Sequence, residues 1–301
     1  MGLFRRGPSA EEVLSDVDLR GRVFLVTGGD SGIGWETVRA LAARGARVYL
    51  GCLRAATGVA ACDAIRARHP AADVRPLAFD LGDLDAVDAA TRALDAQVLH
   101  GVVCNAGVYG GRYATTKDGF ERTLGVCYVG HVALVLGLHD RLARGAPSRV
   151  VMVSSENHRW PRRLDFNDLP LGPQHYSELR AYGQAKLACV LFALALDARW
   201  KDRGVRALAL HPGNLVSTGI DQDSFMLRTT LRLARPFAAT IAQAAATSVL
   251  AVASPTLEGR GGIYLADLRE KPPAPAALEP ETQDRLFALT ARWLAARAPV
   301  T

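Results

Sequence analysis

The sequence lacks the features of several protein classes. It has no run of about 18 apolar residues, so no membrane-spanning segment is expected. Its first residues, MGLFRRGPS, lack the apolar region of a secretory signal, and Arg6 stands where N-myristoylation requires Ser or Thr. The net charge of +6 comes from scattered arginines and not from a basic cluster. This dispersion argues against nucleic acid as a partner.

Cysteine is scarce and irregularly placed. The five cysteines are odd in number, lack the spacing of metal ligands, and several lie inside apolar runs. Cysteine in such a run behaves as a small hydrophobic residue. We therefore expect a reduced, cytoplasmic protein without a metal site.

Strand and helix patterns alternate along the chain. Predicted strands cover 23–26, 46–52, 74–79, 98–104, 149–153, 205–210 and 262–265. Predicted helices follow the first strand and cover about 56–68, 84–94, 118–143, 178–201 and 241–253. This alternation predicts an α/β fold with one doubly wound parallel sheet and helices on both faces. Residues 21–301 form its single domain, and residues 1–20 are an N-terminal extension.

The first strand runs into a glycine loop, TGGDSGIG at 27–34, and then into a helix. This arrangement presents backbone N–H groups and a helix N-terminus to a phosphate. Glycines let the backbone approach the phosphate closely. Turn geometry alone also produces glycine-rich loops, so this loop by itself does not establish a phosphate-binding site.

Several other predicted strands are followed by a polar residue or a proline. These residues are Arg54, Asp80, Asn105, Ser155 and Pro212. Open α/β sheets bind their ligands at the carboxyl ends of the strands. We therefore expect these positions and the glycine loop to surround one site.

Tyr182 and Lys186 are four residues apart on a predicted helix and so lie on one face. The charge of Lys186 should lower the pKa of the Tyr182 phenol from its usual value of about 10. Such a tyrosine can exchange a proton with a carbonyl or alcohol oxygen, which the Ser155 hydroxyl would hold. Taken alone, a Tyr-x-x-x-Lys pair is usually ordinary helix surface.

With these motifs, the chain resembles the short-chain dehydrogenases/reductases over about residues 20–270. The resemblance implies a Rossmann fold and NAD(P)(H)-dependent hydride transfer to or from a hydrophobic alcohol, ketone or aldehyde. It implies that Ser155, Tyr182 and Lys186 are catalytic, with Tyr182 as general acid/base. The cofactor-binding residues it implies are Thr27, Gly28, Asp30, Ser31, Gly32, Ile33, Gly34, Arg54, Asp80, Leu81, Asn105, Ala106, Gly107, Tyr182, Lys186, Pro212, Gly213 and Ser217.

Longer motifs narrow the resemblance. VSSENHR at 153–159, HPGN at 211–214 and LARPF at 233–237 are similar to the branch of retinol dehydrogenases and WW-domain oxidoreductases. Neither a WW domain nor a membrane anchor is expected in this sequence. A nucleotide-sugar epimerase is disfavoured, because those proteins usually carry Thr-Gly-x-x-Gly-x-x-Gly.

The chain departs from this branch at two positions. Cys127 replaces the Asn of the catalytic tetrad, and a thiol forms only weak hydrogen bonds. A cofactor-binding sensor or interaction protein with weak or lost turnover is therefore the alternative function. Arg54 is displaced by one position from the arginine that meets the 2′-phosphate in NADP-binding relatives, and Cys52 offers no acid to select NAD. We expect NADP(H), with NAD(H) as the alternative.

Two apolar stretches could line a substrate pocket or pack against each other. They contain Trp160, Leu164, Phe166 and Leu169 in the first and Phe225, Met226, Leu227, Leu231, Leu233 and Phe237 in the second. Arg228, Arg232 and Arg235 share one helical face, which could meet an anionic substrate or a membrane surface but is most simply a solvated surface. The 178–201 helix is apolar on several faces, so a homodimer partner or the segment before Tyr182 should cover it.

Overall fold

The computed structural model describes residues 7–169, 171–213 and 240–296. Eight strands form one sheet in the order β3-β2-β1-β4-β5-β6-β7-β8. They are β1 (Val23–Thr27), β2 (Arg47–Cys52), β3 (Asp73–Ala78), β4 (Gly101–Cys104), β5 (Ser148–Val153), β6 (Val205–His211), β7 (Ile263–Ala266) and β8 (Arg269–Glu270). Strands β1 to β7 pair in parallel, and β8 runs antiparallel to β7. The strand order reverses between β1 and β4, which is where open α/β sheets bind ligands.

Helices lie on both faces of this sheet. They are α1 (Ala10–Val13), α2 (Gly32–Ala43), α3 (Ala55–Arg68), α4 (Leu84–Ala93), α5 (Arg122–Leu124), α6 (Gly130–Gly137), α7 (His139–Arg144), α8 (Glu178–Trp200), α9 (Ile241–Ala253) and α10 (Pro280–Ala295). A π-helical segment, Gly125–Val129, joins α5 to α6. The predicted doubly wound α/β fold is confirmed.

The central strands are buried on both faces, which explains their continuous apolar sequences. In β1, Val23 and Leu25 belong to one hydrophobic core, and Phe24 and Val26 belong to the other. Successive side chains of a strand point to opposite faces, so one short run supplies both cores. One core packs under α4, α6, α8 and α10, and the other under α1, α2, α3 and α9.

The helix predicted at 118–143 is wrong in its bounds and continuity. It begins at Arg122 because the Glu121 carboxylate accepts hydrogen bonds from the N–H groups of Thr123 and Leu124, at 2.8 and 2.9 Å. A π-helical turn interrupts it, and it breaks again at Leu138 before α7. Strand β4 is also shorter than predicted.

Several elements were not predicted from the sequence. These are α1, the short antiparallel strand β8 and the C-terminal helix α10. Helix α10 covers much of α8: Phe287 stacks on Phe192 with 5.9 Å between ring centroids, and Thr290 shares a hydrogen bond with Tyr128 at 2.8 Å. The apolar surplus of α8 therefore does not by itself require a second subunit.

One described helix, Glu178–Arg203 including its last turn, is long and apolar enough to cross a membrane. However, 83% of its most apolar window is buried inside the protein. Burial of this kind is usual for the central helix of an α/β sheet, so the helix is weak evidence for a membrane span.

Candidate active site

The candidate site lies at the carboxyl edge of the sheet. The ends of β1, β4, β5 and β6 bring to this edge the glycine loop, the Asn105–Gly107 segment, Ser155 and the Pro212–Gly213 pair. These positions are thus gathered on one side of the sheet, as the sequence predicts. Ser217 and the apolar stretch at 225–237 lie outside the described residues.

The glycine loop packs tightly against the start of α2. A Cβ on Gly34 would lie 2.0 Å from the Gly28 carbonyl oxygen, so no other residue fits there. Gly28 and Gly32 have φ values of 62° and 54°, in the left-handed region that glycine adopts readily. Ser31 caps α2 without a side-chain hydrogen bond to the helix. The first N–H groups of α2 thus keep their capacity to bind a phosphate, while Ile33 packs against the core.

A buried hydroxyl joins the glycine loop to the end of β4. Thr27 Oγ1 accepts hydrogen bonds from the N–H groups of Asn105 and Ala106, at 2.9 and 3.0 Å. The Asn105 amide donates to the Thr27 carbonyl at 2.9 Å. His131 completes the network, with its Nε2 2.8 Å from Thr27 Oγ1. These contacts give Thr27 and Asn105 a structural role in shaping the loop.

The residues expected near the adenosine end lie beside the glycine loop and α3. The exposed Arg54 forms the N-terminal cap of α3. Asp30 accepts a hydrogen bond from the Thr57 hydroxyl at 2.7 Å, so a carboxylate lies beside the start of α3. Asp80 is exposed and its carboxylate accepts the Gly82 N–H at 2.7 Å.

The neighbouring positions of the expected cofactor set are also described. Leu81 is buried, and its carbonyl packs so closely on α6 that a Cβ on Gly130 would lie 2.2 Å from it. Gly213 has a φ of 123°, in the left-handed region that glycine adopts readily. It follows Pro212 directly after β6, at the same edge of the sheet.

Lys186 and Tyr182 are brought together on α8, as the sequence predicts. The buried Lys186 ammonium donates to the Val153 carbonyl at 2.9 Å and lies 5.4 Å from the centre of the Tyr182 ring. Ser154 donates to the Lys186 carbonyl at 2.8 Å, which holds α8 against the end of β5. Ser155 follows and caps the 3-10 turn Glu156–Arg159.

The pKa of Tyr182 differs from the sequence-based prediction. Burial raises it above the usual value, whereas the charge of Lys186 and a hydrogen bond from Ser155 lower it. Lys186 thus acts in the predicted direction, but in the chain itself the cost of desolvating a phenolate is larger. Burial, the largest single effect, disfavours the charge on Lys186, but negative charge on Tyr182, Cys127 and Cys189 together outweighs it, so the pKa of Lys186 is raised.

Cys127 lies in the π-helical segment, with its thiol directed at the loop after β4. Its sulfur accepts the Val108 N–H at 3.4 Å and donates to the Val108 carbonyl at 3.5 Å. Its own carbonyl accepts from the Cys189 thiol at 3.2 Å and lies 3.0 Å from His131 Nδ1. Both its side chain and its carbonyl therefore have partners within the protein.

The residues before Tyr182 that were candidates for a substrate pocket mostly pack within the protein. Leu164 is buried in the core, Leu169 packs against it, and Phe166 lies under the Arg285 guanidinium at 4.1 Å from the ring centre. Trp160 is 59% exposed. This stretch serves packing more than pocket lining.

Sequence reasoning missed two residues beside Tyr182. The Tyr109 ring lies perpendicular to the Tyr182 ring, with 5.0 Å between centroids, and Glu178 begins α8 one turn before Tyr182. Both are adjacent to motifs, since Tyr109 follows Asn105–Gly107 by two residues. Within the described ranges, no group of three or more His, Cys, Asp or Glu residues could hold a metal ion.

Comparison with known proteins identifies the family. Residues 22–166 match the model of the short chain dehydrogenase family. Human WW domain-containing oxidoreductase is 38% identical over 297 residues, which are 96% of this chain and 72% of that protein. Human retinol dehydrogenase 12 is 37% identical over 285 residues, covering 94% of this chain and 89% of that protein. The chain therefore belongs to the short-chain dehydrogenase/reductase family, whose members are NAD(P)-dependent oxidoreductases.

Solved structures show the same fold. An uncharacterised protein from Mycobacterium paratuberculosis has a TM-score of 0.75 and 30% identity, covering 96% of this chain and 98% of its own. The complex of Pseudomonas aeruginosa RhlG with NADP has a TM-score of 0.65 over 87% of this chain and 98% of its own. Because that structure is only 20% identical, it shows the fold alone.

The buried His131 predicts a loss of stability in acid. Burial lowers its pKa from 6.5 to about 4. Between these pH values the unfolded chain takes up a proton that the folded chain excludes, so the free energy of unfolding falls as pH falls, by up to about 3 kcal/mol. Burial also lowers the pKa of His100 and His158, which adds to the loss.

Urea unfolding between pH 7.5 and pH 4.5 tests this prediction. His131→Gln should be less stable at pH 7.5 but lose less stability in acid than the unaltered protein. His175→Gln is the matched control, since the His175 side chain is 59% exposed, and it should follow the unaltered protein. An unchanged pH dependence in His131→Gln would assign the loss to other groups.

Proposed function

We propose that the protein is an NADP(H)-dependent oxidoreductase that transfers a hydride between nicotinamide and a hydrophobic alcohol, ketone or aldehyde. The observation that carries this proposal is the Tyr182–Lys186 pair beside Ser155, with the buried Lys186 ammonium 5.4 Å from the centre of the Tyr182 ring, at the edge of the sheet where the glycine loop ends. The five described cysteines are free and buried, which fits the proposed reducing, cytoplasmic compartment.

The residues present fit a nicotinamide dinucleotide. The uncapped start of α2 would hold the pyrophosphate, Asp80 and Leu81 the adenine, and Pro212 and Gly213 the nicotinamide. Lys186 uses one of its three donors on the Val153 carbonyl, so two are left, one of them for a ribose hydroxyl. The bound nicotinamide would supply or accept the hydride.

The protein's own groups would handle the proton. Tyr182 donates its phenolic proton to the carbonyl oxygen during reduction and withdraws it from the alcohol during oxidation. Ser155 holds that oxygen by a hydrogen bond. Lys186 stabilises the phenolate that forms in reduction, because its charge is buried close to the ring.

The role of Tyr182 is tested by Tyr182→Phe, which keeps the ring and removes the proton donor. We expect NADPH affinity to survive and turnover to fall about 10²–10⁴-fold or more, the usual contribution of a general acid–base group. Tyr49→Phe is the matched control, because the Tyr49 hydroxyl donates to the Asp95 carbonyl after α4, and its loss should leave turnover unchanged. Retention of most activity in Tyr182→Phe would refute the proposed acid/base.

The preference for NADPH is supported by Arg54 at the start of α3 and by the lack of an acid at Cys52. Arg54→Ala should weaken NADPH binding about 10-fold and NADH binding much less, because a charge-assisted contact with the 2′-phosphate is lost. Asp30→Asn removes a negative charge beside α3 and should strengthen NADPH binding. Fluorescence titration with both cofactors measures these effects. Equal or tighter NADH binding by the unaltered protein would overturn the preference.

A cofactor-binding sensor is the second candidate, and Cys127 is the observation that favours it. An Asn side chain at 127 could pair with both the N–H and the carbonyl of Val108, the two groups that the thiol contacts. We therefore expect Cys127→Asn to keep its melting temperature and to raise turnover. Cys127→Ala cannot bond Val108 and should melt at a lower temperature.

Turnover on a panel of carbonyl compounds separates the two functions. Activity of the unaltered protein supports the oxidoreductase. NADPH binding without turnover, together with activity gained in Cys127→Asn, supports the sensor. A lower melting temperature and no gain in Cys127→Asn would show that Cys127 only fills space in the core.

A further inference from the structure

Three residues spaced by four form a stripe on α8: Glu178, Tyr182 and Lys186. The loop after β4 runs alongside this stripe. A Cβ on Gly107 would lie 3.7 Å from Lys186 Nζ, the Tyr109 ring contacts the Tyr182 ring, and the Gly111 N–H donates to Glu178 Oε1 at 3.0 Å.

The loop and the helix keep the same register over two turns. Loop residues two apart thus meet helix residues four apart: Gly107 lies against Lys186, Tyr109 against Tyr182 and Gly111 against Glu178. These contacts link the loop that follows β4 to α8, the helix that carries Tyr182.

The far end of the loop is fixed by further hydrogen bonds. Gly110 and Gly111 have φ values of 78° and 92°, in the left-handed region that glycine adopts readily. Arg122 donates to the Gly110 carbonyl at 2.6 Å, and the Tyr176 hydroxyl donates to the Gly111 carbonyl at 2.9 Å. Together with the bond to the Glu178 carboxylate, these contacts hold the peptide groups before and after Gly111.

We propose that Glu178 and Tyr109 are positioning residues for Tyr182. Glu178 anchors the loop, and the perpendicular Tyr109 ring fixes the plane of the Tyr182 ring and so the direction of its hydroxyl. Perpendicular ring pairs have a preferred geometry, and proton transfer requires the donor within hydrogen-bonding distance of the reacting oxygen. This inference rests on the proposed role of Tyr182 as general acid/base.

Paired substitutions at Glu178 and Tyr109 test the inference. Glu178→Ala removes the acceptor for the Gly111 N–H, whereas Glu178→Gln keeps one. Tyr109→Leu removes the perpendicular ring, whereas Tyr109→Phe keeps it. We expect kcat to fall about 10-fold or more in Glu178→Ala and Tyr109→Leu, with the Kd for NADPH unchanged, because misplacing a reacting group by a fraction of an ångström is costly. The conservative variants should stay near the unaltered protein.

Glu281→Ala is the matched control, since Glu281 is an exposed glutamate in the first turn of α10. It should leave kcat unchanged. Melting temperatures are recorded for every variant. If Tyr109→Leu does not fold, the comparison of Glu178→Ala with Glu178→Gln still tests the inference. Equal kcat in Glu178→Ala and the unaltered protein would overturn the inference.

A double variant shows whether Tyr109 acts through Tyr182. Without the phenolic proton, the orientation of the ring no longer matters, so adding Tyr109→Leu to Tyr182→Phe should cause no further loss of kcat. If the two losses of kcat were additive, Tyr109 would act independently of Tyr182. That result would overturn this inference and leave the proposed function standing. If Tyr182→Phe itself kept full activity, the proposed function would fail instead.

Discussion

The hydrogen bonds of the Thr27 hydroxyl hold together the edge of the sheet on which the site is built. A single buried oxygen accepts from two successive N–H groups after β4, while the Asn105 amide donates back to the glycine loop. Strands β1 and β4 pair side by side up to Val26 and Val103, and the order of the sheet reverses between them. The shape of the glycine loop thus depends on a contact between segments far apart in sequence.

The same network extends from the cofactor side to the catalytic helix. His131 lies between Thr27 Oγ1 and the Cys127 carbonyl, and that carbonyl also accepts the Cys189 thiol of α8. The Cys127 thiol in turn contacts Val108, within the loop that reaches Tyr182. Because Thr27, Cys127, His131 and Cys189 are buried, loss of one of these partners would leave a buried polar group without compensation. Cys127 therefore has a structural place in the site whatever its effect on proton transfer.

The sequence predicted the fold well because the determining signals are local. Continuous apolar runs such as 23–26 mark strands buried on both faces, and the residues that follow them are placed by the sheet itself. The helix predicted at 118–143 begins instead at the local Glu121 cap, and the close contact of Gly130 with Leu81 is a tertiary feature that the apolar pattern does not show. Helix α10 carries its own local signal, since Pro280 marks its start, but its amphipathic pattern follows the last predicted strand and predicts no strand–helix alternation.

The candidate site was predicted in part, for the same reason. Spacing alone places Tyr182 and Lys186 on one face, but no spacing reveals that Tyr109 lies against that face from another segment. Sequence spacing also does not show how far the Tyr182 side chain is shielded from solvent. A charge–charge effect can be inferred from neighbours in sequence, whereas desolvation depends on everything that surrounds the group.

That burial bears on the direction of the proposed reaction. With its pKa raised by desolvation, the Tyr182 phenol holds its proton at neutral pH, which is the form a general acid needs to protonate a carbonyl oxygen. Once the proton has left in the proposed reaction, the charge of Lys186 and the hydrogen bond from Ser155 are the described contacts that favour the phenolate. Lys186 is the larger of the two effects, so the proposed proton transfer depends on keeping its ammonium close to the Tyr182 ring.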